Sequence, residues 1–462
     1  MDLHHLTGLG QGAAIRRGDV TAVELAEHYL QRTMERNPSV GAFIEITGEL
    51  ALEQARAADE AVRSAGADDH LPPLLGVVVP IKDLNQVKGV RCRFGSAVVD
   101  VVSPVDDAVV AMLRAAGAVF TGKTSAPEFG LPAYTEPDVG PWARSPWDLT
   151  RSAGGSSGGA AAAVAAGMAP VAQGSDGGGS IRIPASACGL VGLKTSRGLV
   201  PSGPLPEGLG RLAVDGPLAR TVADAAALLD AMTGRSGADA HLRALDGEPG
   251  PLLIGRYCQP VIADVAVHPE CLAAYEGMSA LLEALGHRLV DIDVPFPLSA
   301  VPHFERVWAA GAASIPIDLA HEDRLRPLTR WLRERGRAMS FEEVMVEVDR
   351  MAETGRAMVA STAHLDAILT PTLATLPAPL GHLRDDADPA ADFEAQKAFT
   401  PFTSPYNISG QPAVSLPVHW TDEGLPVGVQ LVGRPMGDAA LLRLAAQVER
   451  AQPWAHRYPE VW

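Results

Sequence analysis

Gly154-Gly155-Ser156-Ser157-Gly158-Gly159 and, a short way on, Gly174-Ser175-Asp176-Gly177-Gly178-Gly179-Ser180-Ile181-Arg182-Ile183-Pro184 are two Gly/Ser-rich stretches. Residues 160–173 between them are mostly alanine and other small apolar residues. A flexible linker would continue into polar sequence, whereas this run can only be tightly packed core. The sequence therefore predicts two tight loops that frame a buried helix of small residues.

The second loop has the composition of an anion-binding loop next to a hydroxyl group. Glycine lets a backbone approach another group closely and adopt positive φ. Three glycines leading into Ser180 would direct successive N–H groups toward one point. Acyl transfer needs a nucleophile and donors for the oxyanion that it creates. The pattern therefore indicates acyl-transfer chemistry.

Composition narrows the class of protein. The chain has 462 residues, of which 47% are hydrophobic and 20% charged, as in a globular protein with a large core. A net charge of −17 argues against nucleic acid or an anionic membrane as the main partner. The N-terminus has no signal-peptide pattern, and residues 160–171 are too short a run to span a bilayer. We expect a soluble, cytoplasmic protein.

The cysteines and the absent motifs exclude other chemistries. Cys92, Cys188, Cys258 and Cys271 show no metal-ligand spacing and are expected to be free thiols. There is no HExxH motif, paired-carboxylate loop or Cys/His cluster. We therefore expect neither a metal nor a cofactor.

Helical stretches alternate with short apolar runs along the chain. Residues 76–83 and 118–122 are predicted to be buried strands, and similar runs recur at 190–194, 252–257, 288–293 and 367–369. This alternation predicts an α/β fold with a mixed, mostly parallel central sheet covered by helices on both faces.

Lys82 stands at the end of the most apolar predicted strand. The chain has five lysines against 33 arginines, so lysine is not its usual cation. A lysine here could simply extend from the strand end or pair with Asp83. However, burial lowers the pKa of a lysine, and the neutral amine is a general base.

Two other motifs compete with this interpretation. Residues 117–124 fit the P-loop spacing, but the predicted strand lies between the two glycines instead of before them. Residues 154–158 fit the G-x-S-x-G elbow of a Ser-His-Asp α/β-hydrolase, but no apolar strand precedes Ser156. The thirteen histidines are also scattered. A Ser-His-Asp α/β-hydrolase remains the alternative hypothesis for the catalytic mechanism.

The two loops, together with Cys188-Gly-Leu-Val-Gly-Leu-Lys194, resemble the amidase signature family. The spacing of Lys82, Ser156 and Ser180 agrees with the family pattern, and matching motifs at 122–129, 215–224, 371–372, 407–412 and 424–430 extend the likeness over nearly the whole chain. The resemblance implies one amidase-signature domain over 1–462, with its core at about 72–225 and a substrate-pocket helical region at about 295–365.

The resemblance also implies roles for individual residues. Ser180 would attack the carbonyl, and Ser156, which would follow a cis peptide bond, would relay a proton to neutral Lys82. The N–H groups of Gly177, Gly178, Gly179 and Ser180 would form the oxyanion hole. Ser157, Asp176 and Arg182 would position Ser156 and the loop.

Departures from the family pattern bear on the substrate. The family commonly has threonine at position 175 and threonine or isoleucine at position 177, whereas this chain has Ser175 and Gly177. The loop is similar to that of cyclic nylon-dimer hydrolases, aryl acylamidases and urethane-cleaving amidases. We therefore expect a small, largely uncharged amide or carbamate as the substrate. Six aromatic residues are candidates for the substrate pocket: Tyr134, Trp142, Phe304, Trp308, Phe402 and Tyr406.

Two further functions carry the same signature. One is the amidase subunit of a tRNA-dependent amidotransferase, and the other is a catalytically silent binding protein. The presence of all three expected catalytic residues argues against the second. A monomer or a homodimer is expected.

Overall fold

The computed structural model describes residues 2–66, 69–204, 207–235 and 240–462. The strands are β1 Phe43–Ile46, β2 Ile81–Lys82, β3 Arg91–Cys92, β4 Val101–Val102, β5 Gly122–Thr124, β6 Arg144–Ser145, β7 Asp148–Ser152, β8 Val171–Asp176, β9 Val191–Lys194, β10 Val214–Ala219, β11 Leu253–Arg256, β12 Arg288–Asp291, β13 Ala367–Pro371, β14 Ala413–Trp420 and β15 Pro426–Gly433. The α-helices are α1 Gly8–Arg17, α2 Ala22–Val40, α3 Gly48–Ser64, α4 Ala108–Ala115, α5 Gly158–Ala165, α6 Arg182–Cys188, α7 Val222–Thr233, α8 Pro269–Ala284, α9 Val301–Ser314, α10 Pro327–Arg337, α11 Phe341–Ser361, α12 Pro389–Phe399, α13 Pro405–Ser409 and α14 Asp438–Ala451.

A mixed eight-stranded sheet organises the fold, in the order β12-β11-β13-β15-β14-β9-β10-β8. The predicted α/β class with a mixed sheet is confirmed. The prediction of mostly parallel pairing differs from the structure, because β11 pairs parallel with β12 and β13 whereas the other five pairings are antiparallel. Helix–strand alternation does not determine which strands become neighbours. Short connections such as 421–425, which joins β14 to β15, give antiparallel pairs.

The predicted strand at 76–83 is shorter in the structure. Only β2 forms a ladder, parallel to β5, and Val78 adds an isolated bridge to Val119. The next strand lies at Gly122–Thr124, a few residues beyond the predicted 118–122. Pro80 has no N–H to donate, which limits regular pairing before Ile81. Together with β1 these strands form a separate three-stranded sheet that presents Lys82 at its end.

Helix α5 lies in the centre of the molecule. All of its residues are buried, and so are the residues around it in a core of mainly alanine and valine side chains. The prediction of a buried helix of small residues is confirmed. Its second residue, Gly159, lies so close to the backbone of Ser125 that a Cβ atom would stand 2.4 Å from the Ser125 nitrogen. The helix therefore fits only because its first two residues, Gly158 and Gly159, lack side chains.

In the part of the chain that the structure describes, every helix is too short or too polar to cross a membrane.

Gly159→Ala should destabilise the protein by about 1–3 kcal/mol or more, because the added methyl group has no space beside Ser125. Gly277→Ala on α8 is the matched control, since a Cβ there meets nothing within 4 Å. This control should be neutral or stabilising by up to about 1 kcal/mol. Denaturant unfolding of both variants checks the pair. Equal stability of the two variants would contradict the packing argument.

Candidate active site

Lys82 is fully buried, and its amine contacts two serines. Its Nζ lies 2.8 Å from Ser156 Oγ, 3.0 Å from Ser175 Oγ and 3.2 Å from the Ser175 carbonyl oxygen. Its backbone N–H donates to Gln173 Oε1 at 2.9 Å. The side chain is therefore fixed on Ser156 from the end of β2.

Burial lowers the pKa of Lys82 from 10.5 to about 7, although the carboxylates of Asp176 and Asp215 oppose the shift. Asp83, the expected alternative partner, instead forms a buried ion pair with Lys123 at 2.9 Å. Lys82 and Asp83 are neighbours on an extended chain, so their side chains point in opposite directions. Among the described residues, Lys82 thus has no carboxylate at hydrogen-bonding distance, and its amine can lose its proton near neutral pH.

The first Gly/Ser loop places Ser156 against Lys82. The peptide bond between Gly155 and Ser156 is cis. The Ser157 hydroxyl donates to the Ser175 carbonyl at 3.0 Å, and the Ser157 N–H donates to the Ser180 carbonyl at 3.1 Å. These two bonds connect the loop at 154–157 directly to β8 and to the second loop.

The second loop follows β8 and carries Ser180. The Gly179 N–H donates to Asp176 Oδ1 at 2.7 Å, so it is occupied within the loop. The expected oxyanion hole is corrected at this residue, because the Gly179 N–H is already hydrogen-bonded to Asp176 and holds the turn instead. Between Gly177 and Ser180, the N–H groups of Gly177, Gly178 and Ser180 meet no acceptor among the residues that the structure describes.

Asp176 and Arg182 form a buried ion pair that holds the second loop. Arg182 Nη2 donates to Asp176 Oδ1 and Nε donates to Oδ2, both at 2.9 Å. Burial alone would raise the pKa of Asp176, but the Arg182 guanidinium holds it well below its usual range. The carboxylate therefore stays ionised and accepts the loop N–H groups at all ordinary pH values.

The remaining donors of Arg182 reach residues more than 200 positions away in sequence. Arg182 donates at 2.7 Å to the Thr403 carbonyl, to Gln430 Oε1 and to Asn407 Oδ1. Asn407 Nδ2 in turn donates to Asp176 Oδ1 at 2.9 Å. Asn407 and Gln430 occurred in the sequence motifs but received no role there, since single-sequence spacing does not show which distant segments meet.

Sequence reasoning also missed Ser175 as a partner of Lys82. Gln173 and Ser175 lie two residues apart on β8, so both side chains face β2. Both contact Lys82, one through its backbone and the other through its amine. The alternation of polar residues along a strand next to the lysine was the available signal.

An open cleft begins at Ser180. Its apolar lining includes Phe304 and Trp308, whose rings stack with centroids 5.5 Å apart. A Cβ on Gly177 would stand 3.4 Å from the Trp308 ring, so the aromatic pair lies directly over the glycine loop. The other lining residues are Leu131, Pro132, Ala133, Gly178, Ile183, Ile262, Phe393, Gln396, Lys397, Thr400 and Ser404.

The other four candidate aromatic residues lie outside this lining. Tyr134 is buried and donates to Asp392 Oδ2 at 2.6 Å. Tyr406 and Phe402 are buried in the core, and the hydroxyls of Tyr406 and Tyr257 are 2.8 Å apart. Trp142 lies beneath the Arg384 guanidinium. Each ring is used for packing, which is the common fate of aromatic residues.

Histidine and metal ligands are separate from this site. The described residues that line the cleft include no histidine, and the basic side chain that contacts Ser156 is Lys82. One group in the described chain, Asp2, His4 and His5, has donor atoms close enough to share a metal ion. His4 and His5 lie near Trp462, away from the cleft residues.

Comparison with known proteins gives the same family as the motifs. The family model for amidases matches residues 24–442. The chain is 39% identical to the protein AmiB2 of Mycobacterium tuberculosis, over 100% of this chain and 99% of that protein. It is 34% identical to an acylamidase of Rhodococcus erythropolis, over 99% of this chain and 98% of the relative.

A solved structure of 6-aminohexanoate cyclic dimer hydrolase with substrate superposes with a TM-score of 0.89 at 30% identity, covering 100% of both chains. A bacterial aryl acylamidase has the same fold, with a TM-score of 0.87 at 24% identity over 100% of this chain and 99% of that one. The chain therefore belongs to the amidase family, as the two serine loops predicted, and it is an amide-hydrolysing enzyme.

Arg182→Met should destabilise the protein by about 3–5 kcal/mol, because it leaves the buried Asp176 carboxylate without its cationic partner. Arg330→Met on the exposed face of α10 is the control and should cost less than about 0.5 kcal/mol. Urea unfolding followed by circular dichroism measures both. A similar small loss for the two variants would show that the ion pair does not hold the loop.

Proposed function

We propose that the chain hydrolyses the C–N bond of small, largely uncharged amides through Ser180, Ser156 and Lys82. The observation that carries the proposal is the 2.8 Å contact between the buried Lys82 amine and Ser156, with the Ser156 loop hydrogen-bonded to Ser180. Ser180 is the member of the set that opens on the cleft. A neutral amine behind a hydroxyl is the arrangement that activates a serine nucleophile.

In the first half-reaction, Ser180 Oγ forms a bond to the carbonyl carbon and the carbonyl electron pair moves to oxygen. The Ser180 proton passes to Ser156 Oγ as the Ser156 proton passes to Lys82 Nζ. When the C–N bond breaks, the same route returns a proton to the leaving nitrogen, which becomes a neutral amine. Water then attacks the acyl carbon while its proton passes through Ser156 to Lys82. The bond between the acyl carbon and Ser180 Oγ breaks, the proton returns through Ser156 to Ser180, and the acid is released.

The oxyanion would bind at the glycine loop. Gly177, Gly178 and Ser180 have N–H groups without an acceptor in the described chain, and two of these residues line the cleft. Backbone donors of this kind contribute about 3–4 kcal/mol each to transition-state stabilisation. The Gly179 N–H adds to this indirectly by fixing the turn on Asp176.

The lining of the cleft supports an apolar or aromatic substrate. Phe304, Trp308 and Ile183 flank Ser180, and the one lysine in the lining, Lys397, is paired with Glu305 and Glu394. The positive charge of Lys397 is therefore already paired within the protein and is not free for an anionic substrate. Anilides, alkyl amides and carbamates all fit this chemistry. The similarity of the chain to an acylamidase and to a 6-aminohexanoate cyclic dimer hydrolase supports an amide substrate.

A free-standing enzyme is favoured over an amidotransferase subunit, since the acylamidase relative is matched over 98% of its length. We propose a small-molecule partner only and a monomer or homodimer, which gel filtration with light scattering would test.

Ser180→Ala should lower kcat/KM by at least about 10³-fold, and Lys82→Ala by about 10²–10⁴-fold. A fluorophosphonate probe should label wild type on Ser180 and lose that label in both variants. Lys88→Ala, on an exposed lysine, is the control and should behave as wild type. Labelling of Ser156 with Ser180 replaced by alanine would refute the assignment of the nucleophile.

The kcat/KM of the wild type should rise with pH through about 7, because Lys82 becomes a base only after its ammonium loses a proton. The activity is lost below this pH, where the ammonium is stable, and reaches a plateau above it. A profile of kcat/KM from pH 5 to 9 with an anilide substrate measures this rising limb. A flat profile would contradict a neutral-lysine base.

Trp308→Ala should raise KM for an aryl substrate by about tenfold, since the ring stands over the glycine loop next to Ser180. Labelling by a small fluorophosphonate should persist, because the serine and lysine are untouched. Trp420→Ala is the matched control, because its ring packs on Trp147 and neither residue lines the cleft. An unchanged KM in the Trp308 variant would place the aryl group elsewhere.

A further inference from the structure

A second cavity, of about 250 Å³, borders the site and shares no lining residue with the substrate cleft. Ser175 and Asp215 form part of its wall, together with Asn85 and Asp107. Ser180 lines the cleft, whereas Ser175 lines this cavity, and the Lys82 amine contacts Ser175 as well as Ser156. A cavity of this size with polar walls is large enough for several water molecules.

The register of the sheet places Asp215 beside the lysine. In the antiparallel pair of β8 and β10, Asp215 stands directly opposite Ser175. Directly opposed residues point to the same face, with Cβ atoms about 4.5–5.5 Å apart. The Asp215 carboxylate therefore lies next to the Ser175 hydroxyl, which is 3.0 Å from Lys82 Nζ.

Gln173 locks this arrangement. Its Nε2 donates to Asp215 Oδ1 at 2.7 Å and to Asn85 Oδ1 at 2.9 Å. Its Oε1 accepts the Lys82 backbone N–H at 2.9 Å. One side chain thus holds the lysine strand and the carboxylate together.

The other charged groups near the pair have their own partners. Asp176 on β8 is neutralised by Arg182, and Glu207 at the cavity wall pairs with Arg211. Asp107, at the start of α4, accepts the Gln86 N–H at 2.9 Å. Within the described chain, Lys82, Asp107 and Asp215 are the charged groups of this site that lack a salt-bridge partner. Of the two carboxylates, Asp215 is the one that faces Lys82 across Ser175.

We propose that Asp215 is a positioning residue that sets the protonation state of Lys82 from outside the substrate cleft. The second cavity supplies the water that exchanges the proton of the lysine. The inference rests on the proposed function, since it assigns a role to Lys82 as the base. Asp215 does not line the substrate cleft and does not contact Ser180, the serine that would carry the acyl group.

The direction of the effect follows from the charges. Burial lowers the pKa of Lys82, and the negative charge of Asp215 partly reverses that shift. Loss of hydration raises the pKa of Asp215 to about 7, so its charge develops in the same pH range in which Lys82 becomes neutral. Removing the carboxylate charge should lower the pKa of Lys82 further.

The test is the pH dependence of kcat/KM in Asp215→Asn. The rising limb should move to lower pH by about one unit, while the plateau at high pH stays within about threefold of wild type. Relative to its own plateau, the variant should therefore be up to about tenfold more active at pH 6. Asp215→Glu, which restores the charge, should return the limb toward the wild-type position.

Asp224→Asn is the matched control, because Asp224 is a buried carboxylate that accepts backbone N–H groups of Gly8 and Leu9. Its limb should coincide with that of wild type. Asp215→Ser provides a second uncharged variant should the asparagine variant misfold, and it should shift the limb in the same direction.

A lowered plateau with an unmoved limb in both uncharged variants would overturn the inference and leave Asp215 a purely structural residue. Failure of the proposed function has a different signature. In that case the wild type itself would show no limb near pH 7, or Ser180→Ala would retain its rate.

Discussion

Close approach of backbone segments is the constraint on which the rest of the structure depends. A Cβ atom on Gly155 would stand 2.5 Å from the Tyr134 nitrogen, and one on Gly179 would stand 2.4 Å from Thr403 Oγ1. Only residues without a side chain fit at these contacts. They bring the two serine loops within hydrogen-bonding distance of each other, so that Ser157 reaches the Ser180 carbonyl. The geometry of the site is thus a consequence of these close approaches at Gly155 and Gly179.

The same degree of burial has opposite electrostatic results at two points of the site. Asp176 and Lys82 are both removed from water, which disfavours the charged form of each. Asp176 stays ionised because Arg182 supplies a bidentate partner, whereas Lys82 has hydroxyl and carbonyl oxygens as its neighbours. Each pKa unit corresponds to about 1.4 kcal/mol. The partner of a buried group, more than its burial, therefore decides its charge.

The sequence predicted the features that depend on local chemistry. The two glycine loops, the buried helix between them and the unusual lysine at 82 could be predicted because glycine, alanine and lysine each have few physical reasons to occur in such patterns. Strand pairing could not be predicted, since β10 and β8 pair across nearly forty residues of intervening chain. The occupied N–H of Gly179 depended on the position of Asp176, which spacing alone did not show. Four of six aromatic residues proved to be packing residues because a ring has no sequence pattern that separates core from pocket.

The five lysines show that the rarity of a residue type helps to find a candidate site residue but does not identify it. Three of the five lysines, Lys82, Lys123 and Lys194, are buried. Arginine cannot lose its proton in a protein, so a position that needs a neutral amine must keep lysine. Yet Lys123 forms a buried ion pair with Asp83, and Lys194 donates to the Thr195 carbonyl. Among the three, Lys82 is the one whose amine meets a hydroxyl next to an open cleft. A rare residue type thus narrows the candidates for a proposed base to a few positions, and the contacts of each amine favour Lys82 among them.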